Sequence, residues 1–222
     1  MPIKRGVNRK TRFESMKNMK NSKLILTDCD GVLLDWSYRF FEFMDEKGYT
    51  LSAGYEKVYG VENCFDEVTD KASARKLVTE FNESAWIGFL PALRDSVKYV
   101  KKLNEEHGYV FGVITSLSTN QYATALREEN LVRIFGENVF DFIRCIETGA
   151  DKDSELMEFK DSECWWIEDK VENAECGLKF GLNPILMRHA HNEIYAGSNM
   201  RNRNIRNARS WKEICKIITG EI

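Results

Sequence analysis

Five short apolar runs punctuate the chain, and the stretches between them carry apolar residues at helical spacing. The runs cover residues 23–27 (KLILT), 109–115 (YVFGVIT), 140–146, 164–167 (CWWI) and 184–187. Helical patterns at 93–106, 119–129 and 172–180 lie between them. Continuous apolar runs suit strands buried on both faces. Their alternation with helices predicts a parallel sheet covered on two sides, a doubly wound α/β fold. Right-handed crossovers place the chemistry of such a fold at the carboxyl ends of its strands.

Residues 36–90, between the first and second runs, are too many for one crossover helix. They divide into a Phe- and Met-rich segment at 38–48 and further helical patterns at 53–59 and 71–81. This predicts a helical cap inserted after the first strand. The expected organisation is a flexible leader at 1–20, an α/β core built from 21–35 and 91–222, and the cap at 36–90.

Composition narrows the class without changing that picture. A hydrophobic fraction of 43% and a charged fraction of 30% are ordinary for a soluble protein. No apolar run approaches the roughly 18 residues of a membrane span, and the basic N-terminus has no apolar stretch behind it of the kind a secretory signal needs. A cytoplasmic protein with no membrane partner is expected. The six cysteines show no CxxC pair and no zinc-ligand spacing, so they read as reduced thiols. A net charge of −3 argues against wholesale nucleic-acid binding. Residues 1–23 do carry eight Lys/Arg against the single acid Glu14, and 201–216 is also basic. Solvated tails account for both.

The chemistry concentrates in Asp28-Cys29-Asp30-Gly31. Two carboxylates two residues apart, directly after a buried strand, are costly unless they bind a cation or do chemistry. DxDG also occurs in calcium loops and ordinary Asx turns, but its place after a strand and its company downstream favour chemistry, in which Asp28 is expected to attack phosphorus and form an aspartyl-phosphate. Asp30 is expected to protonate the leaving alkoxide and then activate water. Three clusters downstream have the character this needs. Thr115 and Ser116 close the second run and offer hydroxyls and N–H groups to a phosphate. Lys152 opens a helix after the third run and supplies a fixed positive charge, both to the phosphoryl oxygens and to the nucleophile. Glu168 and Asp169 close the fourth run with hard oxygen ligands for Mg²⁺.

In this order the four motifs resemble those of the haloacid dehalogenase-like superfamily: DxD, a strand-terminal Thr/Ser, a Lys and an acidic pair. The match spans about residues 22–190, and the insertion falls where that superfamily carries its helical C1 caps. Asp-x-Asp-Gly-Val-Leu at 28–33, Thr-Ser at 115–116, Asp-Lys at 151–152 and the Lys170-x-Glu172-Asn173 that follows the acidic pair are similar to the 5′(3′)-deoxyribonucleotidase branch. The departure is Glu168, where those enzymes usually show a second aspartate. A Glu-Asp pair occurs in related phosphomutases, whose Asp holds the metal. The resemblance therefore implies Mg²⁺ on Asp28, the Asp30 carbonyl and Asp169, with Glu168 supporting from behind.

It also implies a small phosphorylated substrate, a nucleoside monophosphate in the first instance. The alternatives are a phosphatase or phosphomutase for another metabolite, and a nucleic-acid end-processing enzyme that uses the basic termini. Three features carry less than they suggest. His189-Ala190-His191 lacks a third metal ligand, Trp165-Trp166 points its rings to opposite faces of a strand, and Cys29 is expected to be packed rather than reactive. Of the aromatics Trp36, Tyr38, Phe40, Phe41, Phe43 and Trp86, one or two are expected to face the substrate and the rest to build the cap's interior.

Overall fold

Parallel pairing throughout one six-stranded sheet organises the chain. The computed structural model describes residues 23–195 and 204–221, so the leader expected at 1–20 lies outside the described residues. The strands are β1 (Leu24–Thr27), β2 (Val110–Thr115), β3 (Phe140–Cys145), β4 (Trp165–Glu168), β5 (Asn183–Met187) and β6 (Arg206–Ala208). Their spatial order is β3-β2-β1-β4-β5-β6. The helices are α1 (Trp36–Glu46), α2 (Lys71–Asn82), α3 (Ser96–Glu105), α4 (Gln121–Phe135), α5 (Asp153–Met157), α6 (Val171–Lys179) and α7 (Trp211–Thr219).

The sheet grows from β1 outward to β3, then the chain returns to add β4, β5 and β6 on the other side of β1. The order therefore reverses between β1 and β4, where a doubly wound sheet opens a crevice at its carboxyl edge. The pairing Thr27↔Ile167, followed by Asp28 N–H donating to Ile167 O at 2.9 Å, brings the residues after β1 beside those that end β4. The first five strands follow the five apolar runs. The sixth was legible only as part of a basic stretch. It has three residues of which only Ala208 is buried, too short a pattern to announce a strand. The helix behind it is firmly packed through Trp211, Ile214, Cys215 and Ile218.

Between β1 and α3 lies the insertion. Two of its predicted helices form, α1 and α2, started by Asp35, which accepts from Tyr38 N–H, and by Asp70, which accepts from Ala72 and Ser73 N–H; each such cap contributes about 1 kcal/mol. The third prediction, at 53–59, is corrected: only a 3₁₀ turn forms there, Tyr55–Lys57. A glycine on each side, Gly54 with φ 82° and Gly60, leaves too few residues to offset the cost of helix nucleation. Phe40 stacks on Trp36 at 4.4 Å and meets Phe65 and Phe81 edge-on, and this aromatic interior is continuous with the apolar core beneath the sheet.

The chain leaves for the insertion and returns from it side by side. Asp35 N–H donates to Pro91 O at 2.9 Å, and Leu93 N–H donates to Leu33 O at 2.8 Å. Among the described residues no helix is long and apolar enough to cross a membrane.

Candidate active site

Asp28, Thr115 and Asp169, at or just past the ends of three strands, and Lys152, at the head of α5, line one cavity of about 520 Å³ between the sheet's carboxyl edge and the insertion. Asp28 follows β1 and is 7% exposed. One carboxylate oxygen, Oδ1, accepts from Cys29 N–H at 2.7 Å, and the other, Oδ2, lies 2.8 Å from Lys152 Nζ. Lys152, at the head of α5, is 1% exposed and also donates to Glu168 Oε2 at 2.9 Å. Burial alone would discharge this lysine, yet the two carboxylates beside it hold its pKa above the usual value.

Glu168 is fully buried and each of its oxygens is used twice. Oε1 accepts from the N–H groups of Asp169 and Lys170, each at 3.0 Å, and Oε2 accepts from Lys152 Nζ and from Asn173 Nδ2 at 3.2 Å. So arranged, it orients the lysine and the β4–α6 turn. Asp169, 6% exposed, lies against the turn after Asp30: a Cβ placed on Gly31, whose φ is +74°, would stand 2.4 Å from Asp169 Oδ2. Only glycine fits that approach. Burial pushes both Asp28 and Asp169 above the ordinary carboxylate range, and neighbouring carboxylates add to it: Glu168 for Asp28, Asp28 for Asp169.

The fit to a divalent cation can be judged from charge. Asp28, Glu168 and Asp169 bring carboxylate oxygens within 4.8 Å of one another. Counting Asp30 as well, four carboxylates face two buried cations, Lys152 and Arg127, a surplus of two negative charges when all are ionised. Glu168 is saturated with donors, so Asp28 and Asp169 are the residues suited to hold Mg²⁺ by hard oxygen.

Thr115 ends β2, is 1% exposed, and its hydroxyl has no hydrogen-bond partner among the described residues. A buried hydroxyl with no partner is costly, and here it borders the cavity. Ser116 borders it too, but its hydroxyl already donates to Ala150 O at 2.9 Å.

Arg127 was not singled out from the sequence. It stands on α4, fully buried, and grips Asp30 through Nη1 at 2.6 Å and Nη2 at 3.2 Å while Nη1 also approaches Cys29 Sγ at 2.7 Å. Ninety-seven residues separate the partners, so no local pattern could have paired them. Cys29 itself is buried and its thiol is pushed far above its usual pKa by burial, consistent with a packed residue.

His189 serves the backbone. Arg94 Nη2 lies 3.2 Å from its Nδ1, and guanidinium only donates, so Nε2 carries the proton and donates it to Gly31 O at 2.7 Å. His191 borders the cavity, with Nε2 at 3.8 Å from Asp169 Oδ2. Trp166 is buried in a cluster with Phe159, whereas Trp165 packs on the opposite cluster, as alternation in a strand requires. Of the six insertion aromatics, Trp36 and Phe41 border the cavity; Tyr59, 60% exposed and in edge contact with His191, joins them unforeseen.

No protein-family model matches the sequence, and no curated protein matches it. Solved structures do. The chain is similar to a predicted phosphatase from Clostridium acetobutylicum, with 17% identity over 89% of this chain and 98% of that one and a TM-score of 0.62. It is similar to a haloacid dehalogenase-like family hydrolase from Streptococcus pneumoniae, with 13% identity over 89% and 98% of the two chains and a TM-score of 0.60. A third is the D,D-heptose bisphosphate phosphatase from B. bronchiseptica complexed with magnesium and phosphate, with 12% identity over 90% and 99% and a TM-score of 0.52. The chain has the parallel α/β fold of the haloacid dehalogenase-like hydrolases.

Proposed function

We propose that this chain is a Mg²⁺-dependent phosphomonoesterase that works through an aspartyl-phosphate on Asp28. The observation that carries the reading is the meeting of Asp28, Thr115, Lys152 and Asp169, from three strand ends and a helix start, on one cavity. The division of labour is part of the proposal: residues 21–35 and 91–222 hold the chemistry, and 36–90 cover it as a cap.

In the first step a carboxylate oxygen of Asp28 attacks phosphorus and the bond to the ester oxygen breaks. Asp30 gives its proton to the departing alkoxide. In the second, Asp30 takes a proton from water, whose oxygen attacks the phosphorus and releases inorganic phosphate and a free Asp28. Lys152 holds the Asp28 carboxylate in place and offsets charge on the phosphoryl oxygens, and the Thr115 hydroxyl donates to one of them. Asp28, the Asp30 carbonyl and Asp169 would hold Mg²⁺, which would supply positive charge to the phosphoryl oxygens. All six cysteines are free thiols, which suits a reducing compartment such as the cytoplasm.

For substrate we infer a nucleoside monophosphate, deoxyribose forms included. Trp36, Phe41 and Tyr59 border the cavity and offer faces for a flat base. Stacking on aromatic side chains is worth about 1–3 kcal/mol, which corresponds to a preference of about ten- to a hundredfold over a sugar. A phosphate-release assay with Mg²⁺, comparing kcat/KM for deoxynucleoside monophosphates and hexose phosphates, is the test. Equal or reversed values overturn the nucleotide assignment, and no release from any phosphomonoester overturns the phosphatase.

A further inference from the structure

Helix α2 presents one face to the cavity: Lys71, Ala74, Arg75, Val78 and Asn82, spaced three and four apart as a helical face requires. That face changes character along its length. Asn82, at the inner end, donates to Leu117 O at 2.9 Å, two residues past Thr115, and accepts from Trp36 Nε1 at 2.9 Å. Ala74 and Val78 are apolar. Arg75 and Lys71 stand about 10 and 16 Å farther along the axis than Asn82, at 1.5 Å per residue. Two like charges at i and i+4 repel each other, and among the described residues neither is paired with a carboxylate. Lys170, from the sheet side, borders the same space. Away from the acidic cluster, the one acid on the lining is Glu62, so the outer part of the cavity has a surplus of positive charge.

We propose that the cavity selects phosphomonoesters whose leaving group carries a second anionic group, phosphate or carboxylate, and that Lys71 and Arg75 bind it. This rests on the phosphomonoesterase reading and narrows it. Both cations border the cavity that Asp28 and Lys152 also line, so one bound ester can present its phosphate to Asp28 and a second anion to α2. A guanidinium and an ammonium together suit phosphate or carboxylate alike. Among nucleotides a bisphosphate meets this demand; the nucleoside monophosphate inferred above from the aromatic lining carries no second anion, so for the nucleotides a bisphosphate takes its place.

The test uses matched pairs with Mg²⁺: a nucleoside bisphosphate against its monophosphate, a hexose bisphosphate against its monophosphate, and a phosphorylated hydroxy acid against the corresponding phosphorylated alcohol. In the wild type, at least one doubly anionic member is expected to have a kcat/KM about tenfold or more above its partner, roughly 1.4 kcal/mol. The three pairs tell a phosphate from a carboxylate. In the double variant K71Q/R75Q that ratio falls to about one. Lys76→Gln, on α2 but outside this cavity, keeps the wild-type ratio. A ratio near one in the wild type for all three pairs, or an undiminished ratio in the double variant, overturns the proposal. Turnover of p-nitrophenyl phosphate with no discrimination overturns this inference alone, while no turnover of any ester overturns the phosphomonoesterase as well.

Discussion

Arg127 holds both carboxylate oxygens of Asp30 in a two-pronged grip from the middle of α4, and the guanidinium is fully buried. In the proposed mechanism an oxygen so held must leave the fork to reach a leaving group, so the grip would set where Asp30 starts. Arg127→Lys keeps a charge and loses the fork. The expected result is a kcat lowered by about ten- to a hundredfold, with KM little changed and an altered pH profile of kcat, because small displacements of a reacting group are costly. A folded variant with the wild-type kcat and pH profile would reduce Arg127 to a structural role.

Asp28→Asn removes the proposed nucleophile without changing shape and should abolish turnover. Asp30→Asn should slow it by about 10²–10⁴-fold, the range for a lost general acid or base. Both proteins should unfold cooperatively, so the comparison is made on folded samples. Wild-type kcat in Asp28→Asn would mean that another group attacks phosphorus.

Thr115→Val exchanges a buried hydroxyl that lacks a partner for a methyl of the same shape. Without phosphate present, the variant should be at least as stable as the wild type, by up to about 1–3 kcal/mol, since the unmade hydrogen bond is no longer a cost. Its KM for phosphomonoesters should rise. Chemical denaturation and steady-state kinetics together check this; a less stable variant with unchanged KM would show that the hydroxyl serves the fold rather than the phosphate.

Asp28 and Asp169 are each pushed up to about 7, mainly by burial. From about pH 4, where these groups ionise in the unfolded chain, to about pH 7, the folded protein keeps protons that the unfolded chain has released. The stability of the metal-free protein therefore falls as pH rises through that window. A divalent cation that binds the ionised pair offsets the loss. Thermal unfolding after EDTA treatment should give a lower Tm at pH 8 than at pH 5.5, and added Mg²⁺ should raise Tm more at pH 8. An equal rise at both values, or full turnover in EDTA, would end the assignment of Mg²⁺ to this site.

Much of the architecture was set by the sequence alone, for a local reason. Stretches such as 24–26 and 111–114 carry no polar side chain because both faces of a central parallel strand are covered, and that demand is written residue by residue. The same holds for Asp28, Thr115 and Asp169, which lie at or just past strand ends, so knowing the strands placed these three on one edge, whereas Lys152 comes from the head of α5. Where the local signal was weak, the pattern failed: the three-residue β6, and 53–59, where two glycines stopped a helix. What only the tertiary structure decided are the pairings across long separations. Arg127 reaches Asp30 because α4 packs over the turn after β1, and His189 ties Gly31 in place from the loop after β5. Glu168 is full of donors because Lys152 and Asn173 converge on it from different elements. The stripe of α2 that runs from Asn82 to Lys71 could be drawn on a helical wheel, but only packing decided that it borders the cavity Asp28 also lines. Hydrophobic periodicity records which side of an element is buried; it carries no record of what lies opposite.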